Sequence, residues 1–198
     1  MELDPDDPTH YPLRMATDLY HFSEDPTIEI FTPRPPRAHP DVEPMVWAID
    51  AWHSPLYFVP SECPRVCFWP LPTTTDEDRR RFWTDDRTRM VIAIEHAWLP
   101  RLLTVALYRY SLPTETFEDC RDHGVFVSRS AVVPLSVGAI GNPLRAMAEA
   151  SVELRVTPSL VALGEALIGT SLHWSLIRMR NAAGWEGPRG TPATPGPR

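Results

Sequence analysis

Short apolar runs broken by proline and polar turns dominate the chain, and their spacing predicts strands more often than helices. Asp18–Phe22 (DLYHF) reads as a first strand, with Leu19 and His21 on one face and Tyr20 and Phe22 on the other. Ser23-Glu24-Asp25-Pro26 is turn chemistry, and Ile28, Ile30 and Phe31 form a second apolar patch before the loop TPRPPRAHP. Met45–Ile49 (MVWAI) and Arg65–Trp69 (RVCFW) read as strands, separated by an aromatic-bearing turn or short helix, DAWHSPLYFVP. Thr75–Phe82 reads as a polar connection, the mixed charges of Asp76–Arg81 those of a solvated helix face. Further strands are expected over Met90–Trp98, Leu103–Leu112, Val125–Ser128, Val132–Val137 and Val152–Val156. Asn142–Ala150 has Asn at the cap, Pro143 in the first turn and Leu144, Met147 and Ala148 on one face, so it predicts a helix. Ser159–Ile168 predicts another helix, capped by Ser159, while Ser171–Arg180 suits either a strand or a helix. Many short strands with helices inserted late define an α+β class.

The expected organisation is one domain over residues 15–183, a disordered leader over 1–14 and a disordered Pro/Gly-rich tail over 184–198. The 198 residues suffice for a core without covalent staples. The 23 prolines explain why the elements should be short. A formal net charge of −7 argues against broad nucleic-acid binding, which needs a basic surface. All 19 basic residues are arginine, so no lysine is present to form a Schiff base or touch a phosphate in a P-loop. No apolar run is long enough to span a membrane, and the three cysteines lack metal-ligand spacing. Free thiols in a cytoplasmic protein are the expectation, with no metal and no certain cofactor.

Nucleophile elbows, Walker loops and dinucleotide fingerprints are missing, so candidate chemistry rests on clusters. His21, on a strand facing a cleft, could orient a ribose hydroxyl or act as acid or base, against the plainer role of a half-buried histidine. Trp47, Asp50, Trp52, His53 and Tyr57 place rings beside a second histidine, His53, and suit a flat ligand as well as a core. Arg34 and Arg37 in the proline-stiffened loop, with Arg65, suit a phosphate. Arg178 and Arg180 either pair with Glu153 or Asp119 or serve the cleft. Glu95 and His96, adjacent in one strand, point to opposite faces and cannot act together.

The segments LYHFSEDPTIEIFTPR, VWAIDAWHSPLYFVPSECPR, VELRVTPSL and WSLIRMRNA resemble a bacterial family of single-domain proteins of unknown function. A second resemblance, to ADP-ribosyltransferase-like proteins including the RNA 2′-phosphotransferases, rests on an opening strand ending in Leu-Tyr-His and a small polar residue, then VWAID and an aromatic-bearing helix. It implies a curved, mostly antiparallel split sheet with a cleft between its halves. It places His21 against a ribose with Ser23 beside it, Trp47 and Tyr57 around a base, and Arg34 or Arg65 on phosphate, with NAD as a possible substrate. Where such transferases carry a late glutamate, this chain reads CRDHGVFVSRS, with Asp122 and His123 instead. That departure favours altered NAD-like chemistry, or nucleotide binding without transfer. The rival expectations are a lyase, isomerase or cyclase using His21 or His53 as acid or base, and a non-catalytic ligand-binding or regulatory module.

Overall fold

A computed structural model describes residues 18–35, 43–83 and 85–187; the expected leader, Arg37 and the end of the tail lie outside them. Ten strands are described: β1 (Leu19–Ser23), β2 (Val46–Asp50), β3 (Arg65–Trp69), β4 (Met90–Glu95), β5 (Tyr108–Leu112), β6 (Glu118–Asp119), β7 (Val125–Ser128), β8 (Ser136–Ala139), β9 (Val152–Thr157) and β10 (His173–Ile177). Four short helices join them: α1 (Asp76–Phe82), α2 (Leu99–Thr104), α3 (Pro143–Glu149) and α4 (Val161–Leu167). The strands form two open sheets, one of six strands in the order β6-β7-β2-β1-β5-β8 and one of four in the order β10-β3-β4-β9. Every pair is antiparallel except β4 with β9. The architecture is mixed α and β, as the run of short strands predicts.

The two sheets bury their strands differently. Every residue of β3 and β4 is buried, which is why RVCFW and MVIAIE read as continuous rather than alternating runs. Val66, Phe68, Ile92, Ile94, Leu102, Met147, Leu160 and Leu167 belong to the larger core around this sheet. The six-stranded sheet holds a smaller cluster on one face, Leu19, Val46, Ala48, Tyr110 and Leu112, closed by Phe31 and Val132. The backbones of Phe31 and Val132 exchange hydrogen bonds of 2.8 Å, which fixes the loop after β1 to the sheet.

Several elements depart from the sequence expectation. The polar connection over Thr75–Phe82 is the helix α1: the Thr75 hydroxyl accepts the Asp78 N–H at 3.2 Å, with acids in the first turn and arginines in the last, matching the helix dipole. The charges of Asp76–Arg81 thus lie on the solvated helix face expected of them, and only Phe82 is buried. The first part of the expected strand Leu103–Leu112 belongs to α2, with Pro100 in its first turn, and the strand is confined to β5. The strand expected over Met90–Trp98 stops at Glu95, where a 3-10 turn begins with His96. Val132 makes only an isolated bridge, and β8 begins at Ser136. The ambiguous segment Ser171–Arg180 is β10 followed by a 3-10 turn. Asn142 caps α3 as its sequence predicts, accepting the Arg145 N–H at 3.1 Å. At α4, the Ser159 hydroxyl accepts the Val161 N–H at 3.2 Å, although the helix starts only at Val161.

Trp185, beyond the expected domain edge, packs on the core over Gly164, where a Cβ would lie 3.0 Å from the indole ring. No helix among the described residues is long and apolar enough to cross a membrane.

Candidate functional site

β1 and β2 pair through only two residues each, Leu19 with Asp50 and Tyr20 with Ile49. Beyond that point a side chain replaces the ladder: the His21 ring bonds the Trp47 carbonyl at 2.9 Å. A carbonyl can only accept, so His21 Nδ1 carries the hydrogen, and in the neutral ring Nε2 is left with a bare lone pair. Burial lowers the His21 pKa against the opposing pull of that bond, which favours the neutral ring. The Nε2 atom has no hydrogen-bond partner among the described residues.

This divergence of strands opens a cleft of about 140 Å³, the scale of a cavity that holds one six-membered ring. Its walls include His21, Trp47, Tyr57 and Arg65, with Ser61 and Arg178 at the edge of the second sheet. His21, Trp47, Tyr57, Arg65 and Arg178, all candidates named from sequence, therefore meet here. Tyr57 comes from the 3-10 turn Ser54–Tyr57 and stacks on Phe22, with ring centroids 6.0 Å apart and planes 8° from parallel.

Arg65 dominates the electrostatics. It is only 2% exposed, yet it makes no ion pair among the described residues. Nη1 donates to the Cys63 carbonyl at 3.0 Å, and the guanidinium lies 5.1 Å from the Tyr57 ring centroid. Its Nε is the one buried side-chain nitrogen or oxygen among the described residues with no partner. A guanidinium stays charged at all working pH values, so burial without an anion is costly. Arg178 adds a second cation. Its Nε donates to the Ser61 carbonyl at 3.2 Å and lies 3.7 Å from Glu62, so neither Glu153 nor Asp119 is its partner. Burial lowers the Arg178 pKa, with Glu62 opposing. Its backbone is left-handed, φ 55°, a strained conformation for a residue with a Cβ. Burial raises the Tyr57 pKa while Arg65 and Arg178 pull it down.

The other candidates lie elsewhere. Ser23 uses its hydroxyl to accept the Asp25 N–H at 3.0 Å within the turn after β1. Arg34 is exposed, held by backbone bonds of 3.2 Å to Met45, and does not line the cleft. His53 sits at the far end of β2, where Nδ1 bonds Asp50 at 2.8 Å. Burial pushes the Asp50 carboxyl up, but its bonds from His53 outweigh that and hold it below the usual value. Asp50 Oδ1 also accepts the His53 N–H at 2.7 Å, so the carboxylate caps the turn after β2 as well as holding the ring. His123 and His173, which sequence reading did not connect, stand beside His53; no group of three His, Cys, Asp or Glu able to hold a metal occurs among the described residues. All three cysteines are unpaired, and burial pushes the Cys63 and Cys67 thiols up to about 12, leaving both as unreactive thiols at neutral pH.

Two open sheets with a cationic, aromatic-lined cleft between them define the class of architecture. The chain belongs to a family of unknown function (DUF6886), matched over residues 20–182. No curated protein and no solved structure matches it.

Proposed function

We propose that the chain is an enzyme acting on NAD or another nucleotide through an ADP-ribosyltransferase-like cleft. The observation that carries this reading is Arg65: a buried guanidinium with an unpartnered Nε, on the wall that also presents His21 and Arg178. A ligand for this wall needs an anion for the two arginines and a hydrogen-bond donor for His21 Nε2. A ribose phosphate unit offers both. Trp47 and Tyr57 flank the space that a base or nicotinamide ring would enter. The cleft holds one ring, so the rest of a dinucleotide would extend out of its open side.

In this reading the glycosidic C–N bond breaks with its electron pair leaving on the base. The ribose becomes oxocarbenium-like, and water or another nucleophile captures it. His21 fixes the ribose, and the arginines fix and neutralise the phosphate, so catalysis is positioning and electrostatics. One observation favours a second reading, nucleotide binding without transfer: no Asp or Glu among the described residues lines the cleft to stabilise that cation.

Calorimetric titration with NAD, ADP-ribose, inorganic phosphate and nicotinamide tests the proposal. NAD and ADP-ribose should bind, phosphate should compete with them, and nicotinamide alone should bind weakly. Release of nicotinamide from bound NAD supports the enzyme; binding without release supports the second reading. Failure of all three phosphate-bearing ligands to bind would contradict both.

A further inference from the structure

The opposite end of the same seam carries a device of another kind. Trp69, the last residue of β3, is four strand positions from Arg65 and so roughly 13 Å away. Three imidazoles from three elements converge on its indole: His53 after β2 at 5.2 Å, His123 from the β6–β7 turn at 6.1 Å and His173 at the start of β10 at 4.3 Å between centroids. His123 and His173 are in direct ring contact, 3.4 Å between centroids, and His53 lies 6.4 Å from His123. His53 and His123 belong to loops of the six-stranded sheet, whereas Trp69 and His173 belong to the four-stranded sheet. The cluster therefore spans the seam.

We propose that these three histidines form a proton-operated clasp between the sheets, closed while His123 and His173 are neutral and forced open when both take up protons. The charged groups around it decide where the repulsion falls. Asp50 faces His53 at 2.8 Å and can balance a proton there. Arg89 lies over the Trp52 ring at 5.1 Å, and its charge interacts with Asp50. Asp122 is the acid acting on His123 and only partly compensates it. Among the described residues no acid acts on His173: burial, then His123 and His53, press its pKa down to about 3. Burial lowers His123 likewise, with His53 adding to the effect.

Opening would reach the cleft through the backbone. The Asp50 N–H donates to the Gly124 carbonyl at 2.8 Å, tying the His123 turn to the strand that carries Trp47. Gly124 has φ 83°, and a Cβ there would collide with the His53 ring and the Asp50 carboxylate, so the turn is closely seated.

The sign follows from linkage. A histidine whose folded pKa is depressed stabilises the fold above its unfolded value of about 6.5 and loses that stabilisation as pH falls toward the folded value. Between pH 7 and pH 5, His173 alone should raise the unfolded-to-folded ratio about 25-fold. Urea unfolding of the full chain at both pH values tests this, comparing wild type with His173→Gln and with the double variant His123→Asn, His173→Gln. Asn suits the positive φ of 37° at position 123. His173→Gln should change about 25-fold less than wild type, the remainder coming from other groups such as His21. The double variant should change less still, and His173→Gln suffices if the double variant does not fold. The proposal is overturned if wild type and His173→Gln show the same pH dependence, or if NMR titration gives His173 a folded pKa above 6.

Discussion

Arg65 and Glu95 are the two buried charged residues among those described, at 2% and 3% exposure, on adjacent strands of one sheet. They solve the same problem in opposite ways. The Glu95 carboxylate is taken up by the backbone: Oε1 accepts the Ala183 N–H at 3.1 Å and the Leu160 N–H at 3.4 Å, and Oε2 receives a second contact from Ala183 at 3.3 Å. It ties the chain's C-terminal stretch and the entry to α4 onto β4. Arg65 has one bond to a carbonyl, a ring beneath it and an unpartnered Nε. The lesson is that burial of a charge does not by itself reveal its purpose; the state of its hydrogen bonds does. A saturated charge is structural, and an unsaturated one at a cleft marks where a ligand belongs.

The largest effect should come from the saturated member. Glu95→Ala leaves the Ala183 and Leu160 N–H groups without their acceptor, and should destabilise the fold by about 3 kcal/mol. Thermal melting checks the loss, and ligand affinity measured below the melting range should be unchanged. Lost affinity in a folded Glu95→Ala protein would erase the distinction between the two charges.

A smaller stability effect, with a large functional one, is expected at His21. Removing its ring leaves the Trp47 carbonyl without that donor, a cost of about 1 kcal/mol. Binding of ADP-ribose to His21→Ala should weaken at least about tenfold, a loss of roughly 1.4 kcal/mol. If the variant melts far lower yet binds ADP-ribose equally well, His21 belongs with Glu95 as a structural group.

How much of this was legible in the sequence follows from how local each feature is. β3 and α3 could be read directly, because a continuous apolar run and an Asn-Pro cap are signals within a few residues. The charges of α1 could be read as a helix face, but one buried residue gave no apolar period to bound it. The end of α2, Leu103–Thr104, runs into the alternating residues of β5 and so imitates a longer strand. Trp47 and Tyr57 could be grouped because their elements follow one another, whereas His21 joined them only through the resemblance, since the β1–β2 pairing that brings it near is not a local signal. Arg65 could be named but not weighed, since RVCFW says nothing about which N–H groups find partners. The His53, His123 and His173 cluster was not visible, because it forms only when β2, the β6–β7 turn and β10 meet across the seam. Ser23 and Arg34 look like ligand contacts in sequence, but the hydroxyl is taken by its own turn and the guanidinium stands outside the cleft.

The most direct test of the central claim is Arg65→Met. Methionine fills similar space without a charge, and an uncompensated buried charge replaced by an apolar side chain leaves stability unchanged or raises it, by about 1–4 kcal/mol in favourable cases. Melting and ADP-ribose titration on the same sample measure both sides. The account predicts a protein that melts at or above the wild-type temperature and no longer binds ADP-ribose or phosphate. A variant that melts well below wild type while keeping full affinity would show Arg65 to be a structural residue and would remove the anion site from the cleft.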